Sequence, residues 1–75
     1  MLLFDAKINS RYVIKSINIT DSKTKLRIME LGLITGTSVI VKRKSMLKHT
    51  FLIVFSSACF TLKDNLAKQI EVENA

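Results

Sequence analysis

Leu26-Arg27-Ile28-Met29-Glu30-Leu31-Gly32-Leu33-Ile34-Thr35-Gly36-Thr37 decides the fold, because it closes a short amphipathic helix at one glycine and opens a strand just past the next. Leu26, Met29, Leu31 and Leu33 supply the expected apolar stripe of that helix and its exit. Gly32 stands where a helix ends in a left-handed residue, and Gly36 where a tight turn needs positive φ. These are the only two glycines of the molecule, so both are expected to mark backbone positions that a side chain would strain.

Working upstream, Thr20-Asp21-Ser22 offers side-chain oxygens to the free N–H groups of a helix start, which predicts a helix from Asp21 to Leu31. Arg11 to Ile19 is rich in β-branched and aromatic residues, and Tyr12, Ile14, Ile17 and Ile19 alternate imperfectly; this predicts a strand with a bulge near Lys15-Ser16. Downstream, Thr37 to Lys44 alternates Val39 and Val41 against Ser38, Lys42 and Lys44, a strand that becomes charged as it leaves the core. Ser45 to His49 reads as its turn. Thr50 to Phe55 returns as a third strand with Phe51, Ile53 and Phe55 on one face. Ser56-Ser57 turns the chain again, and Ala58 to Leu62 gives a fourth strand with Ala58, Phe60 and Leu62 on one side. Lys63 to Lys68 reads as a single helical turn with Asp64 near its start, and Ile70 and Val72 mark a closing fifth strand. The expected architecture is mainly β: a small, strongly bent antiparallel barrel of about five strands with one inserted α-helix and a short C-terminal helical turn. Closure of the barrel is expected to limit exposed edges.

The chain has 75 residues, enough for one domain over residues 1–75, with 48% hydrophobic and 24% charged residues. That composition belongs to a globular chain rather than a disordered one. The longest apolar run, Phe51 to Leu62, is interrupted by two serines and is well short of the ~20 residues of a spanning helix, so no direct membrane insertion is expected. Asp5 and Lys7 interrupt the first apolar residues before a signal peptide could form, and a lone Cys59 allows no internal disulfide, which fits a reducing cytoplasm.

Twelve Lys and Arg against six Asp and Glu give a net charge of +6. No acidic residue falls between Glu30 and Asp64, whereas Lys42, Arg43, Lys44, Lys48 and His49 all do. The hairpin that turns at Ser45 to His49 is therefore a local basic feature, and Met46 and Leu47 place apolar groups at its tip. Exposed apolar groups rimmed by charge define a docking patch, so Lys42, Arg43, Lys44, Met46, Leu47, Lys48 and His49 form the candidate partner-binding set.

The residues of the helix-to-strand junction also carry a resemblance. Arg27-Ile28, two further helical residues, Leu31-Gly32-Leu33, and the spacer Ile34-Thr35 before Gly36 and an alternating strand resemble the signature of the FeoA family, the small cytosolic component of bacterial ferrous iron uptake. Val13-Ile14-Lys15-Ser16-Ile17, Leu62, Ala67, Ile70 and Val72 extend the likeness from Leu3 to Val72. It implies an SH3-like barrel with a helix between its first and second strands. It also implies a non-enzymatic accessory protein that works with the membrane permease FeoB, docks on that permease's cytosolic GTP-binding domain, and reaches the inner membrane only through it. Leu26, Arg27, Glu30, Leu31, Gly32 and Gly36 then become structural residues of the family motif, with Arg27 an anchor of the helix. The chain departs from the pattern at Thr35, where proline is common; at Ile28, for leucine; at Asn9-Ser10 and Leu47-Lys48-His49-Thr50, for glycine-bearing loops; and at Lys63, for arginine.

Other chemistries lack their residues. A bound transition metal wants three or four converging ligands, and His49 and Cys59 are the only soft ones beyond the methionines, so neither a metal site nor a cofactor is expected. Nucleophilic catalysis needs Ser, Cys or Thr beside a base, and the one histidine falls on a loop. Asp5, Asp21, Glu30, Asp64, Glu71 and Glu73 are scattered, and no GxxxxGK[ST] phosphate loop occurs. Arg27 and Glu30 sit three apart on the helix, the spacing of a surface ion pair. The rival function is a small basic nucleic-acid-binding β-barrel, which would need Tyr12, Phe51, Phe55 or Phe60 turned outward as stacking platforms. Those aromatics are expected in the core instead, so nucleic acid is not the expected partner.

Overall fold

The computed structural model describes residues 1–75. Its elements are β1 (Arg11–Ile17), α1 (Ser22–Glu30), β2 (Ser38–Ser45), β3 (Thr50–Phe55), β4 (Ala58–Lys63), a single helical turn α2 (Asp64–Ala67) and β5 (Ile70–Asn74). The strands form one antiparallel sheet in the order β4-β3-β2-β1-β5. Every neighbouring pair except β1 and β5 is adjacent in sequence or separated only by α1, so the topology needs no long crossover.

The core lies on the concave face of this curled sheet and consists of seventeen buried residues, all hydrophobic. Alternation builds it: Tyr12 and Ile14 from β1, Val39 and Val41 from β2, Phe51, Ile53 and Phe55 from β3, Leu62 from β4, Ile70 and Val72 from β5. Two bulges adjust the parity. The register of β1 against β5 shifts between Ile14 and Ser16, which lets Ile14 and Ile17 both face inward, as the imperfect alternation predicts. A second bulge, between Val41 and Arg43 in β2, was not foreseen; beyond it Lys44 pairs with Phe51 and Arg43 with Leu52.

The junction after α1 works as read at its glycines. Asp21 caps the helix by accepting from the Thr24 backbone N–H at 3.3 Å. At the other end the Gly32 N–H donates to the Met29 carbonyl at 3.0 Å and the Leu33 N–H to the Ile28 carbonyl at 3.3 Å, the two bonds of a Schellman motif. Gly32 has φ +105° and Gly36 φ +93°. The Thr37 N–H closes the second turn onto the Ile34 carbonyl at 3.0 Å, and the Thr37 hydroxyl donates to the Gly32 carbonyl at 3.2 Å, tying the two corners together.

Three expectations need correction. The apolar stripe is not where the spacing put it: Ile28 is the buried residue of α1 and Leu33 follows it inward, whereas Leu26, Met29 and Leu31 are exposed. The Schellman contact explains this, since it pairs the residue after the glycine with the one four positions before that glycine and so selects Leu33 and Ile28. The sheet is curled but not closed, because no ladder joins β4 to β5. Ala58, Phe60 and Leu62 do lie on one side of β4, opposite Phe55, Ile53 and Phe51, with Leu62 buried and Phe60 partly buried against the core. The third correction concerns Arg27, which forms no ion pair with Glu30 or any other carboxylate and is exposed rather than an anchor.

The N-terminal residues, which carry no strand or helix signal of their own, also matter. A 3-10 turn at Leu3–Asp5 buries Leu3 and Ala6 completely. Leu2 bridges to Glu71, and Val72 exchanges bonds with Met1 at 2.7 and 3.0 Å, so the outer edge of β5 is covered. Phe4 stacks on Phe51 at 5.6 Å between ring centroids and carries the Lys68 ammonium 4.7 Å above its face.

Candidate functional site

The hairpin of β2 and β3 places the predicted docking residues, and the bulge in β2 divides them. Beyond Lys42 the strand has turned, so Arg43 lies on the convex face of the sheet. It lines a shallow basin of about 340 Å³ with Ser45, Lys48, Thr50, Leu52 and Thr61. Lys44 points the opposite way. Its ammonium lies 3.2 Å from the Phe4 carbonyl and 5.2 Å from the centroid of the Phe51 ring, which ties the hairpin to the N-terminal turn. Lys44 is therefore a structural cation rather than part of a free basic surface.

His49 ends the turn with φ +53°, and its Nδ1 lies 3.2 Å from the Asp64 carboxylate at the start of α2, the one ion pair of the molecule when the ring is protonated. The Asp64 N–H also donates to the His49 carbonyl at 2.8 Å. Asp5, Lys44, Met46, His49 and Asp64 thus share the concave side of the hairpin, where the carboxylates offset the cations. The set of seven is split into two faces: Arg43 and Lys48 on the convex side, Lys44 and His49 on the concave side.

Met46 and Leu47 stand at the tip, 84% and 96% exposed. No other large apolar side chains are as bare, and the turn holds them there: the Lys48 N–H donates to the Ser45 hydroxyl at 3.2 Å, closing the loop beneath them. Charge without a carboxylate partner lies beside this tip on the convex side. Leu47 stands next to Lys48 at this tip with Arg43 on the convex face, while Met46 also lines the concave side, so the exposed apolar tip lies between the two charged faces of the hairpin.

The motif residues occupy the opposite part of the fold. Leu26, Arg27, Glu30 and Leu31 lie on the exposed faces of α1 and its cap, and Gly32 and Gly36 hold the two corners. Beside α1 runs a groove of about 390 Å³ whose other wall is β4, with Ile28, Leu31, Phe60 and Leu66 among its lining residues. Sequence reading missed it because it arises where the barrel fails to close. No three of the His, Cys, Asp and Glu side chains converge on a point that could hold a metal ion. None of the chain's helices is long and apolar enough to cross a membrane.

A five-stranded antiparallel sheet curled around one apolar core, with a helix between its first two strands, defines a small SH3-like domain. Solved structures share this arrangement closely. The FeoA protein of Chlorobium tepidum superposes with a TM-score of 0.91 at 26% identity, over 99% of this chain and 70% of that one. The zinc-complexed FeoA of Stenotrophomonas maltophilia, described as a procaryotic SH3 domain protein, gives 0.82 at 22% identity over 97% and 89%. The repressor ScaR carries the same fold within a longer chain, with a TM-score of 0.84 at 19% identity, over 100% of this chain and 37% of that one. The model of the FeoA domain matches residues 1–74, and the chain belongs to the FeoA family. No curated protein matches it significantly.

Proposed function

We propose that this protein is a non-enzymatic accessory of bacterial ferrous iron uptake that acts in the cytoplasm with the membrane permease FeoB, docking on its GTP-binding domain and biasing its assembly or gating. Membership of the FeoA family supports the process; a relative from Clostridium thermocellum is an iron(II) transport protein A, and the Stenotrophomonas maltophilia protein is described as a candidate activating factor of ferrous iron transport. The single observation that carries a docking role is the hairpin tip, where Met46 and Leu47 stand exposed at the end of the hairpin that also carries Arg43 and Lys48. Opposite charge speeds encounter, and desolvation of the two apolar side chains slows release.

The test is calorimetry of the protein against the isolated GTP-binding domain of its own permease, with and without nucleotide, at low and moderate salt. Saturable binding that weakens with salt is expected. Burial of one apolar side chain is worth ~1.5–3 kcal/mol, so Met46→Ser with Leu47→Ser should weaken the complex by at least about tenfold while leaving the melting temperature unchanged. Unchanged affinity would remove the hairpin tip from the interface. Tight, salt-sensitive binding to RNA would instead favour the nucleic-acid reading. That reading lacks its platforms, since Tyr12, Phe51 and Phe55 are buried and Phe60 packs against the core.

A further inference from the structure

The open side of the sheet is a second feature that none of the hairpin chemistry uses. We propose that the free edge of β4, together with the groove between β4 and α1, receives an extended acidic segment of a partner protein as a sixth strand.

The backbone is prepared for it. β3 and β4 are joined by the two-residue turn Ser56-Ser57, with φ +47° and +65°, which makes Phe55 and Ala58 the first hydrogen-bonded pair of the hairpin. Bonded and non-bonded pairs alternate in an antiparallel ladder, so Phe60 and Leu62 bond back to β3. The N–H and C=O groups of Cys59 and Thr61 then point away from the sheet, and neither residue takes part in any of the backbone bonds outside the ladders. The other outer strand, β5, is covered by Met1 and Leu2. Sheet edges in natural proteins are usually blunted by a bulge, proline or covering segment; β4 has a continuous six-residue register with β3 and no cover.

The side chains say what kind of strand fits. Residues directly opposite one another in a ladder share a face. Positions opposite Phe60 and Leu62 would therefore enter the groove, against Ile28, Leu31 and Leu66. Leu31 is 53% exposed and Phe60 half-buried, so apolar area is available for an incoming apolar side chain to cover. Positions opposite Thr61 and Lys63 would lie on the convex face. Arg27 on the helix wall and Lys63 on the strand flank the groove, no carboxylate lines it, and neither cation has an ion-pair partner. The occupant is thus an extended segment with carboxylates next to alternating apolar residues, in the antiparallel sense acidic, apolar, β-branched, apolar. A second copy of this chain is a poor occupant, because it would bring its own Arg27 and Lys63 to the same edge.

The proposal stands independently of the hairpin dock and is tested with a probe that owes nothing to the permease. The full chain, labelled with nitrogen-15, is titrated with the blocked hexapeptide Asp-Glu-Leu-Thr-Val-Thr. Saturable shifts and slowed amide exchange are expected at Cys59 and Thr61, with shifts at Arg27 and Leu31 and none at Met46 and Leu47. Arg27→Glu, at an exposed position, should weaken binding by about tenfold, and so should replacing the two peptide acids by lysine. Methylating the peptide nitrogens that face β4 should abolish binding, because the strand then loses its donors. No saturable shift, equal binding of the methylated or lysine peptide, or shifts centred on the hairpin tip would each overturn the proposal. Protection of Cys59 and Thr61 without peptide, in a protein that elutes as a dimer, would assign the edge to a second copy and overturn it as well.

Discussion

Gly36→Ala separates backbone conformation from packing more cleanly than any other substitution in this fold. Gly36 has φ +93°, and a methyl group built there meets no atom within 4 Å. No clash and no cavity can therefore contribute, and the cost is that of forcing an L-residue into positive φ, ~1–2 kcal/mol. Alanine also restricts the unfolded chain, which returns ~0.4–1 kcal/mol. The net destabilisation should centre on about 0.8 kcal/mol, out of a total of about 4–11 kcal/mol for a domain of this length. One kcal/mol moves the melting temperature of a domain this small by ~4–8 °C, so a fall of about 3–6 °C is expected. Thermal and urea unfolding followed by circular dichroism measure it, and the urea slope should not change, because the native fold is retained. An alanine variant as stable as the parent would mean that Gly36 does not need its left-handed conformation. The turn from Ile34 to Thr37, and with it the entry into β2, would then have to be redrawn.

Four further variants probe neighbouring parts of the fold. Thr35→Pro restores a preset φ at the first corner of the Gly36 turn, and since the Thr35 N–H makes no backbone hydrogen bond, a gain of ~0.4–1 kcal/mol in urea unfolding is expected. Ser56→Asn with Ser57→Gly supplies the residues that a two-residue turn with both φ values positive prefers, and should stabilise by about 1 kcal/mol; a loss would contradict the assigned turn. Leu33→Ala removes a fully buried side chain at the Schellman junction and should cost ~2–5 kcal/mol, whereas Leu26→Ala, on the exposed flank of the same helix, should stay within ~0.5 kcal/mol of the parent.

Much of the fold was legible because its signals were short in range. Period-two alternation located β2, β3 and β4 to within a residue or two, and an alternation broken between Ile14 and Ile17 revealed the β1 bulge. Gly32 and Gly36 announced their own φ values. What could not be read depends on partners distant in sequence. Which face of α1 turns inward was decided by the Leu33 and Ile28 contact after the glycine, not by the density of leucines on the helix. The N-terminal turn has no pattern of its own and is fixed by Val72, Glu71 and the Phe51 ring. The same limit governed the hairpin: seven residues within the eight from Lys42 to His49 read as one basic patch, and a bulge at Lys42 sent Lys44 to the N-terminal turn and Arg43 to the far face.

The placement of α1 ties these points to function. Nine residues are too few for a helix to persist alone in water, so it must be held by the rest of the fold. Its face contributes little to that, since Ile28 is its only buried residue. What holds it is the pair of ends: Asp21 capping the first turn, and the Gly32 motif delivering Leu33 to the core. A helix secured at its ends does not need an apolar face for folding, yet Leu26, Met29 and Leu31 are there and exposed. Folding therefore does not account for these side chains, and they add apolar surface along α1, where Leu31 lines the groove facing the uncovered edge of β4. The sequence feature that identifies the family thus has two separable parts. Its glycines and Leu33 build the junction, while Arg27 and Leu31 present a surface. Substitutions in the first part should be read out in stability, and those in the second in binding.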